Sequence, residues 1–172
     1  AIIDHGGNGL FAARVHGVIR YKGSVEFVDR LTKVHEDVFD LIHEYKPDAF
    51  AIEKAFVGES VQSAMKLGEA RAAAIVAAGR HRIPIFEITP AEAKKSVAGN
   101  GRASKDTVRT MVTQLLNLPP KIAYDASDAL CIGMAYLFRR ETSVEVRINK
   151  PRQRRTARSK WTLEDIAAGG LE

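Results

Sequence analysis

The spacing of apolar residues changes several times along the chain, and each change marks an element. Ala1-Ile2-Ile3 is closed by Asp4, and glycines follow at Gly6, Gly7 and Gly9, so residues 1–4 read as a short strand before a turn. Two apolar runs, residues 15–21 and 25–28, flank Lys22-Gly23 and read as a hairpin. Leu31, Val34, Val38, Leu41, Ile42 and Tyr45 recur at offsets of three and four, which predicts an amphipathic helix over residues 30–45 that ends near Pro47. Residues 49–53 form a second apolar run closed by an acid, Glu53. Residues 59–79, rich in Ala, Met, Leu and Glu, have the strongest helix-forming composition in the chain.

A short strand is expected over residues 83–88 and a short helix over 90–96, before Gly99-Asn100-Gly101 breaks the chain. Residues 104–116 read as a helix with Ser104 as its N-cap. Pro119-Pro120 separates it from a last helix over residues 124–139. Strands that come first and are then interleaved with helices predict a mixed sheet covered by helices, an α/β fold. Beyond Glu141 the periodicity fails, and Pro151-Arg152-Gln153-Arg154-Arg155 reads as solvated tail. Residues 161–168 have the pattern of one short helix, with Thr162 as cap and Glu164 and Asp165 in its first turn.

At 172 residues the chain fits one domain plus an appendage, here residues 1–140 and a basic tail over 141–172. The net charge of +5 is unevenly placed. Residues 139–160 carry nine Lys or Arg against two Glu, and residues 161–172 carry three acids and no base. The remainder is close to neutral, which excludes a uniformly basic, histone-like protein. Cys131 is the single cysteine, so an intrachain disulfide framework and a cysteine-based zinc site are excluded. No apolar run approaches the ~18 residues of a membrane helix, and the chain opens without a signal-peptide pattern, so a cytoplasmic location is expected. Opening on Ala1 rather than Met, the sequence is expected to be trimmed or incompletely represented.

Acids at particular places carry the candidate chemistry. Asp4 and Glu53 each end an apolar run, the edge at which α/β sheets present ligands. Asp125-Ala126-Ser127-Asp128 puts two carboxylates on one face at the start of an otherwise apolar helix. Each has an ordinary explanation as a strand-end or helix-start acid. If the four converge, repulsion calls either for a cation or for proton sharing. Hard carboxylate oxygens without cysteine or clustered histidine favour Mg²⁺ or Mn²⁺, and two such ions about 3.5–4 Å apart suit phosphodiester hydrolysis. Spacing does not decide between cation and shared proton.

Four segments, taken together, resemble a known family. They are Pro47-Asp48-Ala49-Phe50-Ala51-Ile52-Glu53, Ala64-Met65-Lys66-Leu67-Gly68-Glu69-Ala70-Arg71, Ala93-Lys94-Lys95-Ser96-Val97-Ala98-Gly99-Asn100-Gly101 and Asp125-Ala126-Ser127-Asp128-Ala129-Leu130. In order and spacing they resemble the RuvC family of Holliday junction resolvases, in the RNase H-like superfamily, over roughly residues 1–140. The resemblance implies an RNase H-like fold, a mixed five-stranded sheet flanked by helices. It implies a homodimer that nicks two strands of a four-way DNA junction symmetrically, leaving 5′-phosphate ends. Two Mg²⁺ or Mn²⁺ ions per active site are implied on Asp4, Glu53, Asp125 and Asp128. Lys94 and Lys105 are implied at the scissile phosphate, and Phe56 as a residue that stacks on bases near the exchange point. A dimer contact is implied around Gln62, Met65 and Glu69, and a RuvAB-type branch-migration complex as partner.

Lys95, Arg102 and Lys121 are further candidates for phosphate contacts, which position DNA without reading its sequence. Two departures from the family stand out. His5-Gly6-Gly7 follows Asp4 where the family carries Pro-Gly, and residues 28–30 leave little room for its longer third strand. The second implies either a deletion or residues missing near 29. Two rival functions share these acids: an RNase H-like nuclease on RNA or RNA–DNA hybrids, and a non-catalytic junction-binding module.

Overall fold

A computed structural model describes residues 1–6, 10–21, 23, 25–54 and 61–142. The elements are β1 (Ile2–His5), β2 (Phe11–Val15), α1 (Phe27–Tyr45), β3 (Phe50–Glu53), α2 (Val61–Arg80), β4 (Ile85–Ile88), α3 (Pro90–Ala98), α4 (Lys105–Leu115) and α5 (Tyr124–Thr142). The expected tail helix over residues 161–168 and the tail itself lie outside the described residues.

Alternation along the strands sorts side chains to two faces. On β3, Phe50 and Ile52 pack with Ile42 of α1 and Ala78 of α2, whereas Ala51 joins the cluster built by α3, α4 and α5. On β4, Ile85 faces α1 and α2, and Ile88 faces the other cluster, whose centre is Val108, Val112, Leu130 and Met134. The strands therefore lie between two helical layers. Glycine permits one close approach: a Cβ placed on Gly133 of α5 would come within 2.8 Å of Ile3 Cδ1 on β1. The strand that carries Asp4 thus packs directly on the helix whose first turn carries Asp125.

The sheet differs from the expectation. Among the described residues, four strands form two ladders rather than one five-stranded sheet. β1 and β2 pair antiparallel with Asp4 opposite Ala12, and β3 and β4 pair parallel with Glu53 opposite Ile88. Among the described residues, the hairpin expected over residues 15–21 and 25–28 is not formed. Its first strand lies earlier, at Phe11–Val15, where a modest alternation buries residues 11, 13 and 15 in part. Phe27 and Val28 open α1 instead, with 44% and 67% exposure. Their β-type side chains suit a strand, yet among the described residues no neighbouring strand is placed to receive them. The Tyr21 hydroxyl donates to the Arg30 carbonyl at 2.8 Å, tying the connection to that helix.

Local signals position the remaining helices. Thr89 and Glu92 form a reciprocal capping box around Pro90 at the start of α3, and Gly99 ends that helix at φ +72, where a Cβ would be strained. Ser104 caps α4 by accepting from Thr107 N at 3.1 Å, as expected. Ser127 is the weak point of the core. It is fully buried in α5, and its Oγ has no hydrogen-bond partner among the described residues. A buried hydroxyl without a partner costs roughly 1–3 kcal/mol. Ser127→Ala is therefore expected to raise unfolding free energy by about 1 kcal/mol in urea denaturation, with an unchanged denaturant slope.

Candidate active site

Two elements bring acids toward one edge. Glu53 closes β3, and the Lys54 amide continues the ladder by donating to the Ile88 carbonyl at 2.8 Å. Asp128 lies one helical turn into α5, half-buried beside the strands. Partial desolvation raises the Glu53 carboxyl above its ordinary value, and the Asp128 charge raises it further, while Lys105 acts in the opposite direction. Glu53 and Asp128 are thus close enough to repel.

Lys105 supplies the local counter-charge, its Nζ 3.7 Å from Asp128 Oδ2. It stands at the first residue of α4, so the placement of that helix end decides its reach. A polar clamp sets the placement. The Tyr124 hydroxyl donates to Asp106 Oδ1 at 2.7 Å, Arg109 pairs with the same oxygen at 2.8 Å, and its guanidinium lies 4.2 Å from the Tyr124 ring centroid. The start of α4 is thereby fastened to the start of α5. Because Asp106 accepts its hydrogen, the Tyr124 phenol titrates above its ordinary range.

Lys94, half-buried on α3, completes the group. Its charge, with those of Asp128 and Glu53, reaches Cys131. Burial, the larger effect, pushes the Cys131 thiol up to about 11, so it stays protonated at neutral pH and serves as packing beneath the acids. Neighbouring Lys95 is exposed on the same helix.

The other candidates are placed differently. Asp4 forms an ion pair with Arg14 diagonally across the β1–β2 ladder, two residues beyond its partner Ala12. Asp125 is exposed in the first turn of α5. Among the described residues, no three His, Cys, Asp or Glu side chains converge tightly enough to enclose a metal ion. Arg102 is exposed in the loop before α4, where its amide donates to Asn100 Oδ1 at 2.9 Å. Lys121 is exposed just before α5, and Phe56 lies outside the described residues. Gln62, Met65 and Glu69 share one face of α2, with Met65 at 62% exposure.

Sequence reasoning passed over one residue of this edge. Arg71 of α2 donates from Nε to the Glu53 backbone carbonyl at 3.1 Å and forms an ion pair with Glu87 of β4. A helix, the end of one strand and the adjacent strand are joined through a single guanidinium. Its signal was its place in the segment 64–71, an arginine closing a small-residue helix face. Arg14 was likewise hidden, because the strand that carries it was placed too late in the chain.

Comparison with known proteins gives the family. The model for crossover junction endodeoxyribonuclease RuvC matches residues 1–136. The chain belongs to the RuvC family. A RuvC of Magnetococcus marinus is 44% identical over 126 residues, 73% of this chain and 70% of the relative. A RuvC of Geobacter sulfurreducens is 43% identical over 135 residues, 78% and 82% of the two chains. The structure of Thermus thermophilus RuvC superposes with a TM-score of 0.72 at 26% identity, covering 82% of this chain and 86% of that one. The same protein in complex with a Holliday junction substrate gives 0.73 at 23% identity.

As a RuvC-family member the chain is a crossover junction endodeoxyribonuclease with an RNase H-like fold. Nucleases of the RuvC family depend on a divalent metal. The donor chemistry here fits that need: two carboxylates repel at the junction of β3 and α5, and their oxygens are hard. No helix among the described residues is long and apolar enough to cross a membrane.

Proposed function

We propose that the chain resolves four-way DNA junctions as a homodimer, by metal-dependent nicking of two strands of like polarity. The observation that carries this reading is the Glu53–Asp128 pair, with Lys105 3.7 Å from Asp128 and Lys94 close by. Carboxylates that repel one another create the field that attracts a cation, and flanking lysines suit a phosphodiester brought to it.

Asp4, Glu53, Asp125 and Asp128 would hold Mg²⁺ or Mn²⁺, two ions per site. When bound, the ions supply an activated water and stabilise the leaving oxygen. Lys105 and Lys94 hold and neutralise the scissile phosphate, so charge that builds on its oxygens meets fixed ammonium groups. The attack is in line on phosphorus and the 3′ oxygen leaves, so the nick carries a 5′ phosphate. Phe56 stacks on a base at the exchange point, and Lys95, Arg102 and Lys121 contact flanking phosphates.

The face of α2 that carries exposed Gln62 and Met65 and half-buried Glu69 supports pairing of two copies there. Two-fold symmetry would match the pseudo-two-fold symmetry of the junction and couple the two cuts. Residues 1–140 act as the nuclease domain, and the basic tail over 141–172 adds affinity through counterion release. The protein works in the cytoplasm, with a RuvAB-type branch-migration complex as partner.

The test is cleavage of a synthetic four-way junction beside an RNA–DNA hybrid duplex, titrating Mg²⁺ and Mn²⁺, with gel filtration for subunit number. Paired nicks in opposite arms of the junction, metal-dependent and made by a dimer, are expected. Cleavage of the hybrid alone, or junction binding without nicks at any metal concentration, would overturn the reading.

A further inference from the structure

Two polar rungs join the first turn of α4 to α5. In one, the Tyr124 hydroxyl donates to Asp106 Oδ1 at 2.7 Å. In the other, the Lys105 ammonium lies 3.7 Å from Asp128 Oδ2. Tyr124 and Asp128 are four residues apart on α5 and share a face, and Lys105 and Asp106 are consecutive on α4, so the rungs are neighbours. Asp106 has an ordinary role as well. An acid in the first turn of a helix meets the positive end of its dipole, and Arg109 is its i, i+3 partner. That role needs nothing from α5. It leaves unexplained why a second donor reaches the same oxygen from another helix, on a ring whose centroid lies 4.2 Å from the Arg109 guanidinium.

The neighbour of Asp106 supplies the reason. Its side chain is 71% exposed, and the Cα atoms of consecutive residues are about 3.8 Å apart, inside the ~8 Å over which physiological salt leaves charges unscreened. A carboxylate left loose there is a rival anion. It draws the Lys105 ammonium from Asp128, and it repels a phosphodiester that approaches that ammonium. We propose that Tyr124 is a positioning residue of the nuclease: with Arg109 it holds the Asp106 carboxylate, so that Lys105 stays directed at Asp128 and the scissile phosphate. Tyr124 touches neither substrate nor metal in this role and acts through Lys105. The inference rests on the junction-nuclease reading and on the place of Lys105 in it.

The test is a mutant cycle on the full chain, read by single-turnover nicking of a four-way junction, with junction affinity measured in the Glu53→Gln background so that no strand is cut. Tyr124→Phe removes only the hydroxyl and keeps the ring beside Arg109. A catalytic group misplaced by about 1 Å costs up to about 10²-fold in rate. Tyr124→Phe is therefore expected to slow nicking about tenfold while junction affinity stays within about twofold. In the Lys105→Gln background the same change is expected to slow nicking by less than about twofold, because the group it positions is gone. Adding Asp106→Asn to Tyr124→Phe removes the rival charge and is expected to bring the rate back to within about threefold of the parent. Tyr124→Phe at the parental rate would overturn the proposal. So would equal losses in both backgrounds, because Tyr124 would then serve only the packing of the two helices, and so would a failure of Asp106→Asn to restore the rate. If Lys105→Gln nicks at the parental rate, the proposal falls with the role of Lys105, while junction nicking itself stands. A parent that does not nick the junction fails the junction-nuclease reading, which is a separate result.

Discussion

Glu53→Gln is expected to reduce junction nicking by about 10³-fold or more while the protein still binds the junction. The amide keeps the shape of the side chain and the position of β3, but it lacks the charge that would hold a divalent cation with Asp128. Stabilisation of this kind is worth several kcal/mol, and about 1.4 kcal/mol corresponds to a factor of ten. Single-turnover cleavage with saturating protein isolates the chemical step. Nicking within tenfold of the parent would remove Glu53 from the active site. Asp128→Asn should behave alike and should also free Lys105, whose nearest carboxylate oxygen is 3.7 Å away.

The same substitution has a second consequence, of opposite sign, for the metal-free protein. Folding raises the pKa of the Glu53 carboxyl, through desolvation first and Asp128 second. The native state thus holds this proton at pH values where the unfolded chain, near the ordinary glutamate value, has begun to release it. Stability is therefore highest below the unfolded pKa and is lost as pH rises through the window up to the folded value. At neutral pH the ionised Glu53 is a net cost to the fold. In the presence of a chelator, Glu53→Gln is expected to melt slightly above the parent at pH 7, with the gap closing as pH falls below that window. A variant that melts lower at pH 7 would contradict the assigned repulsion.

Which parts of this molecule were legible in its sequence follows from the range of the forces involved. The starts of α3 and α4 were readable because Pro90 and Ser104 act within one turn of their own positions. The apolar runs that end in Asp4 and Glu53 were readable because a strand buried on both faces leaves its polar residue at the end. The β2 strand was misplaced because its alternation rests on alanines, whereas the following Val18-Ile19 is more apolar and forms no strand. Phe27 and Val28 carry β-type side chains yet sit in a helix, where the run of α1 overrides local preference. The counter-charges were not readable from spacing, although the family resemblance implied Lys105 at the scissile phosphate. Arg14 reaches Asp4, and Lys105 reaches Asp128, only because a strand pair and a helix–helix clamp bring distant positions together.

Arg71 is expected to matter to catalysis although it need touch neither metal nor DNA. Its guanidinium holds the Glu53 carbonyl from one side and Glu87 from the other, with side-chain exposures of 19% for Arg71 and 32% for Glu87. Arg71→Gln leaves Glu87 half-buried without its cation and removes the donor from the end of β3. Removing one partner of a fully buried pair costs about 3–5 kcal/mol and of an exposed pair under about 1 kcal/mol, so a loss of about 1–3 kcal/mol is expected here. Outer contacts that orient a metal ligand are typically worth about 10–100-fold in metal affinity or activity. A lower melting temperature and a weaker metal response would together fit either a general loss of stability or a loss of aim at Glu53. The double variant Arg71→Met, Glu87→Met separates them. It removes the charge left unpaired, so stability should recover most of the loss, because apolar groups of similar volume replace buried ion pairs at little cost. The donor to the Glu53 carbonyl stays missing, so the Mn²⁺ concentration for half-maximal nicking should remain about tenfold or more above that of the parent. Arg71→Lys, which keeps the charge but not the planar two-sided grip, should fall between the parent and the double variant in metal response. If the double variant regains parental stability and parental metal response together, Arg71 serves the fold alone.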